Sequence, residues 1–213
     1  MNQKLTIVAY HYVRELNYSR YPEIKGLLRS KFKEQLQYLG KYYTFVTVDE
    51  CLSFLNNENS LPSNSCLLTF DDGFIDHFLS VFPILHEKKI QGCFFPPAKA
   101  ILSHEVLDVH KIHFILAVNH KKLDLLLKDV FYLIDKYRDQ YLLEDKKHYF
   151  KKLAFKDPYD SPEVVFLKRL LQMELAEDVR KIITDELFQK FVTKDEKSFS
   201  KELRDIRPHR GIF

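Results

Sequence analysis

The chain has no tryptophan, five glycines, three cysteines and two methionines in 213 residues. Each shortage excludes something. Five glycines leave no glycine-rich loop of the kind that cradles phosphate through its backbone amides. Three cysteines are an odd number and lack a C-x-x-C spacing, so neither a disulfide framework nor a thiolate zinc site is expected. Cys51, Cys66 and Cys93 each lie in an apolar segment and read as buried, reduced thiols. Charge is nearly balanced, 33 basic against 30 acidic side chains for a net +3, which gives no general attraction to nucleic acid or to an anionic membrane. No stretch approaches the ~20 apolar residues of a membrane span. Residues 1–4 lead straight into a strand pattern, without the basic start and ~7–15-residue apolar region of a signal peptide, so a cytoplasmic protein is the expectation.

What is present is a core-forming composition, 46% apolar, arranged in two styles. Over residues 1–103, strand and helix patterns alternate four times. Leu5-Thr6-Ile7-Val8-Ala9-Tyr10 is the first strand. A helix carried by Phe32, Leu36 and Leu39 comes next, with Ser30 placed to cap it and Gly40 to end it. Tyr43-Thr44-Phe45-Val46 is the second strand, and Thr47-Val48-Asp49-Glu50 is a capping box opening a helix that runs through Leu55. Cys66-Leu67-Leu68-Thr69-Phe70 is the third strand and Gly92-Cys93-Phe94-Phe95 the fourth, stopped by Pro96-Pro97. Between them, Phe74, Phe78, Val81, Phe82 and Leu85 share one helical face, with Pro83 kinking or shortening the element. Alternation of this kind predicts an α/β fold with a parallel sheet of about four strands.

Residues 104–203 show only helical patterns, at 109–118, 123–143, 162–175 and 176–192. Ser161-Pro162-Glu163 is a helix start, and Thr193-Lys194-Asp195-Glu196 is a second capping box. Residues 204–213 form a short tail with three Arg and no Lys.

The chemistry-bearing stretch is the third strand together with the turn at its end. A strand apolar at every position suits burial on both faces, and the carboxyl ends of such strands carry the site in parallel sheets. Asp71 and Asp72 fall at that end. Successive strand residues point opposite ways, so the two carboxylates need not share one job. One can take a proton while the other binds a cation. The plain alternative is that Asp71 caps the next helix and Asp72-Gly73 makes the turn. His110 and His113 lie three apart on a helix, a spacing that can converge on one metal. On that helix His113 sits at the edge of the stripe made by Val109, Ile112 and Leu116, with His110 further round. His77 reads as a flank residue of its own helix, and His11 as a side chain at the end of the first strand that can face the acid pair.

Thr69-Phe70-Asp71-Asp72-Gly73 resembles the signature of the polysaccharide deacetylase (NodB-homology) family of carbohydrate esterases. The opening strand followed by Tyr10-His11 is similar to one branch of that family. The resemblance implies a distorted (β/α) barrel of about seven strands, of which this chain carries a partial version followed by an all-helical, insertion-like segment. It implies Asp71 as catalytic base and Asp72 as ligand of a divalent metal, usually zinc. The reaction implied is hydrolysis of N-acetyl groups from amino sugars of a surface polysaccharide or its precursor, so a carbohydrate is the expected partner. The family's histidine motif, H-S/T-x-x-H, does not occur in the chain, which predicts impaired or absent activity. A partial barrel also leaves an unpaired sheet edge, which favours self-association. Two other classes stay open. One is an inactive portion that binds sugar or serves as a partner subunit. The other is a magnesium-dependent phosphoryl-transfer enzyme, which the lack of a glycine-rich loop disfavours.

Overall fold

A computed structural model describes residues 4–204. The expectation for residues 204–213 lies, from residue 205 on, outside the described residues. The chain divides into two compact units, one comprising Met1–Arg20, Lys25–His104 and Ser200–Phe213, the other Tyr21–Ile24 and Glu105–Phe199.

The first unit is α/β. Its strands are β1 (Leu5–Tyr10), β2 (Val13–Arg14), β3 (Leu27–Leu28), β4 (Thr44–Phe45), β5 (Ser65–Asp71) and β6 (Gly92–Phe95). Its helices are α1 (Arg29–Tyr42), α2 (Val48–Leu55), α3 (Phe82–Lys88) and α4 (Ala98–Leu102). β5 is the central strand. It pairs with β1 from Ser65 to Phe70 on one side, and with β4 at its start and β6 at its end, all parallel. β2 and β3 form a separate two-residue parallel pair that no periodicity announces.

The both-faces burial expected of β5 is observed. Cys66, Leu68 and Phe70 join Phe32, Leu36, Val81, Ile84 and Leu85 in one cluster, while Leu67 joins Val46, Cys51 and Leu61 in another. β6 lies close over the first cluster: a Cβ at Gly92 would stand 2.7 Å from the Phe70 ring and 2.9 Å from Leu85. The Thr47 capping box forms as expected, with Thr47 Oγ1 accepting from Glu50 N–H and Glu50 Oε2 accepting from Thr47 N–H. Cys51 and Cys66 are buried and Cys93 is half-buried, all three free, and burial raises each thiol's pKa.

Three local expectations in this unit need correction. Ser30 lies inside α1 and does not cap it; the N-cap is Leu28, with no side-chain hydrogen bond. α1 continues past Gly40 to Tyr42, since a single glycine costs a helix only about 1 kcal/mol. Before Pro83 the chain makes a π-helical turn, His77–Val81, which accommodates one more residue than an α-turn. The apolar face is therefore re-phased. Phe74, Val81 and Leu85 are buried as expected, but Phe78 and Phe82 are about half exposed (48% and 50%).

The second unit is helical: α5 (Asp108–Val118), α6 (Leu123–Tyr141), α7 (Lys146–Leu153), α8 (Pro162–Arg169), α9 (Glu177–Phe191) and the first residues of α10 (Glu196–Glu202), which from Ser200 on is counted with the first unit. Its core includes Phe114, Leu126, Ile134, Phe166, Ile183 and Phe188. The Ser161 start is observed, its side chain accepting from Val164 N–H. The pattern at 162–175 ends in a π-turn, Leu170–Glu174. α7, which the sequence patterns do not pick out, is half lysine (KKHYFKKL) and buries only Tyr149 and Leu153, one turn apart. The expected Thr193 capping box is replaced by Asp195, whose carboxylate accepts from Ser198 N–H. Among the described residues no helix is long and apolar enough to cross a membrane.

Candidate active site at the end of the central strand

β5 delivers Asp71 as its last residue, and the chain then turns sharply. Asp72 and Gly73 take consecutive left-handed conformations, φ +76° and +60°. Such a conformation costs a non-glycine residue about 1–3 kcal/mol and persists where surroundings enforce it. Enforcement here comes from β6 and its prolines. Asp72 N–H donates to the Phe95 carbonyl at 3.2 Å. A Cβ at Gly73 would stand 2.6 Å from Pro96 Cβ and 3.0 Å from its Cα, so only glycine fits.

Asp71 is open to solvent, its side chain 38% exposed, and points toward His11 at the end of β1. His11 Nδ1 and Asp71 Oδ2 are 3.9 Å apart, too long for a direct hydrogen bond and short enough for one bridging adjustment. An accessible carboxylate beside an imidazole is an arrangement that can hold or move a proton.

Behind the turn lies a buried polar layer. Arg14 Nε donates to Asp76 Oδ2 at 2.6 Å, with side-chain exposures of 10% and 3%. Burial raises the Asp76 pKa against the pull of the Arg14 guanidinium. The Arg14 guanidinium also sits 5.0 Å from the centre of the Tyr12 ring, which stacks on Phe74 at 4.3 Å. Burial pushes the Tyr12 phenol well above its usual pKa; Arg14 and Arg204 oppose that, and the Asp72 and Asp76 carboxylates add to it. Arg204, held by Ser200 Oγ at 3.2 Å and lying 5.7 Å from the Phe74 ring, has its pKa lowered by burial, against the influence of Asp72 and Tyr12.

His77 corrects the expectation of a flank residue. It is 4% exposed, among Phe70, Phe74 and Phe94. Its Nε2 meets the His11 carbonyl at 2.7 Å; a carbonyl only accepts, so Nε2 carries the proton. Nδ1 is buried with no hydrogen-bond partner among the described residues. Burial lowers the His77 pKa, so the ring is held neutral. Sequence reasoning missed Tyr12, Arg14, Asp76, His77 and Arg204 as neighbours of the acid pair. The pair Arg14–Asp76 is separated by 62 positions. Asp76 and His77 did carry a signal: two polar residues inside an otherwise apolar stripe.

A cavity of about 440 Å³ in the same unit is lined by Arg14, Arg29, Asp76, Ser80, Glu202 and others; neither Asp71 nor Asp72 lines it. His110 and His113 belong to the second unit, with ring centroids 6.3 Å apart. Their exposures reverse the expected order. His110 is 1% exposed and His113 is half-buried, because the buried face of α5 runs through His110, Lys111, Phe114 and Ile115 rather than Val109. Among the described residues no group of three or more His, Cys, Asp or Glu side chains is placed to hold a metal ion. Of the residues read from the sequence, Asp71 is placed beside His11.

Comparison with known proteins gives one sequence relative and several loose structural overlaps. No protein-family profile matches the chain. Over 100 residues it is 29% identical to the provisionally named polysaccharide deacetylase YxkH of Bacillus subtilis (strain 168). The match takes in 46% of this chain and 33% of the relative, so the chain spans about a third of that protein's length. Three solved structures also overlap. One is a de-N-acetylase from Aggregatibacter actinomycetemcomitans (21% identity, 43% of this chain and 37% of that chain, TM-score 0.38). Another is IcaB from Ammonifex degensii (28%, 55% and 50%, 0.41). The third is the Streptococcus pyogenes deacetylase PplD in complex with acetate (16%, 87% and 81%, 0.40). Superpositions this loose carry no weight for fold or function.

Proposed function

We propose that this chain, a sequence relative of the polysaccharide deacetylases, carries the acid-pair portion of an enzyme that removes N-acetyl groups from amino sugars of a surface polysaccharide or its precursor. The observation that carries the reading is the position of Asp71 and Asp72 at the carboxyl end of the central parallel strand, on a turn held in a strained conformation. Strain kept at one strand end is a recurring property of functional sites. The four-stranded sheet is read as the opening arc of the family's barrel.

In this reading Asp71 is the base. It is exposed, it faces an imidazole, and its task is to take the proton of the attacking water, assistance worth ~10²–10⁴ in rate. Tyr12, Arg14, Asp76 and His77 are assigned to positioning the turn. The divalent metal implied by the resemblance, zinc in the usual case, would supply a polarised carbonyl and an acidified water. Asp72 is the ligand assigned to it. Catalytic zinc takes three protein ligands, and the described residues do not supply the other two. The same shortfall supports a second reading, in which the chain retains sugar binding or acts as a partner subunit without turnover.

Zinc titration of the purified chain by calorimetry, paired with acetate release from N-acetylglucosamine oligomers, tests both. The expectation is weak zinc binding that Asp72→Ala abolishes and that His110→Ala and His113→Ala leave unchanged. Any acetate release should disappear in Asp71→Asn. Acetate release indifferent to Asp71→Asn, or phosphate release from a generic phosphomonoester, overturns the assignment. Tight one-to-one zinc binding lost in both Asp72→Ala and His110→Ala, with acetate release, would instead make Asp72, His110 and His113 one metal site.

A further inference from the structure

The ladder between β1 and β5 ends at the pair Tyr10–Phe70, so His11 is the first residue of the chain beyond it. Its side chain is 54% exposed, yet the imidazole lies 3.9 Å from the Asp71 carboxylate. A side chain that open to water is placed by its backbone. On one side that backbone is held by the strand. On the other, the His11 carbonyl accepts the Nε2–H of His77 at 2.7 Å, across 66 positions of sequence. Both members of the His11–Asp71 pair are thereby tied into one circuit. β5 delivers Asp71, the segment after the turn delivers His77, and His77 reaches back to the end of β1.

Three features separate His77 from a histidine that only fills space. Its ring is flanked by Phe70, Phe74 and Phe94, with centroids 5.7, 6.1 and 5.9 Å away, which fixes its orientation. Its Nδ1 is buried with no hydrogen-bond partner among the described residues, a desolvation cost that a phenyl ring in the same space would not carry. It also opens the π-helical turn, a feature frequent at functional sites. The polar ring makes one hydrogen bond among the described residues, and that bond goes to the backbone of His11. We infer that His77 is the positioning residue of the His11–Asp71 pair: its Nε2–H, by holding the His11 carbonyl, sets the His11 imidazole beside the carboxylate. Working geometry is kept by neighbours whose own rotamers are locked by packing, and a buried ring with a single donor meets that requirement. The bearing of this contact on catalysis rests on the reading of Asp71 as base; the contact itself does not.

The test is nuclear magnetic resonance on the whole, isotope-labelled chain. A scalar coupling between His77 Nε2 and the His11 carbonyl carbon reports the hydrogen bond directly, and relaxation of the His11 ring reports its order on the ps–ns timescale. The parent should show the coupling and an ordered His11 ring. His77→Phe keeps a ring among the three phenylalanines and removes the donor, so the coupling should vanish and the His11 ring should become mobile, with circular dichroism unchanged. His77→Gln returns an N–H donor at similar reach and should restore the order. A space-filling role predicts the reverse ranking, with His11 ordered in His77→Phe and disturbed in His77→Gln. That ranking overturns the inference, as does a parent without the coupling or with a mobile His11 ring. Should His77→Phe not fold, the parent and His77→Gln decide: coupling and order in both support the inference, and their absence from either overturns it. Acetate release from N-acetylglucosamine oligomers is followed in parallel. Release indifferent to Asp71→Asn sinks the reading of Asp71 as base and leaves the inference standing, whereas an ordered His11 ring in His77→Phe sinks the inference alone.

Discussion

The two units bury charge in opposite ways. In the helical unit Lys111 is 1% exposed, yet its ammonium meets Asp185 at 2.5 Å and Glu196 at 2.9 Å, and both carboxylates keep about 30% of their side-chain surface in water. In the α/β unit Arg14 and Asp76 are both buried, and the layer they belong to sits directly behind a strained turn. A buried charge whose partners stay wet is a packing solution. A pair buried on both sides contributes little net stability and is costly to break. Such a pair is retained where it positions something, and here that is the turn bearing Asp72.

The largest expected effect comes from that contrast. Arg14→Ala should destabilise the chain by about 3–5 kcal/mol, because it leaves the Asp76 carboxylate, 3% exposed, without its partner. Lys111→Met should cost clearly less, since Asp185 and Glu196 can rehydrate. The double replacement Arg14→Met with Asp76→Leu should recover most of the loss. Denaturant midpoints of the parent and the three variants decide the matter, and equal losses for Arg14→Ala and Lys111→Met would erase the distinction.

Two left-handed positions make a second contrast. In the helical unit Leu142 adopts φ +51° at the end of α6, 90% exposed. In the α/β unit Gly73 adopts it against Pro96. Gly73→Ala should lose about 2–4 kcal/mol, combining backbone strain with an overpacked contact. Leu142→Gly should gain a fraction of a kcal/mol up to ~1 kcal/mol by relieving strain at a surface position. Thermal unfolding of both variants measures the difference, and opposite signs are the expected outcome.

The smallest effect is in pH dependence. Burial holds the His77 pKa below its ordinary value, so the unfolded chain binds this proton more readily than the folded one. Stability should therefore fall as pH drops below about 6.5, where the unfolded imidazole begins to charge. Denaturant midpoints between pH 5 and 8 should show this slope, reduced in His77→Gln. A slope that is unchanged in the variant would place its origin elsewhere.

Much of the α/β unit is legible from residue order. β1, β5 and β6 arise from short apolar runs bounded by turn residues, and the Thr47 box forms because its donors and acceptors are three residues apart. The Asp pair is legible for the same reason: strand, carboxylates and glycine are contiguous. What cannot be read depends on distance along the chain. The Arg14 guanidinium selects Asp76 through tertiary packing, the β2–β3 pair is two residues long, and the Asp72 conformation is dictated by Phe95 and Pro96. Helical period itself misleads at His77 and at His110. In the first case a π-turn intervenes. In the second, burial of α5 extends beyond the apolar stripe: Ile112 is buried as expected, and so are His110 and Lys111, while Val109 is exposed.

The π-turn at His77–Val81 makes the segment a helix out of step with its own sequence. Upstream of it the inward positions run from Phe74 to His77; downstream they are Val81, Ile84 and Leu85. A regular helix can satisfy one of these registers and not both. The chain thus behaves as though a residue had been spliced between two helices that each pack correctly. Excising one residue from 78–80 would rejoin them in a single phase and relieve the mismatch before Pro83. The same excision would swing the imidazole of His77 out of the aromatic box formed by Phe70, Phe74 and Phe94. The spare residue is therefore a spacer that lets one helix serve two masters: a hydrophobic sheet face below, and a polar cluster at the strand end above.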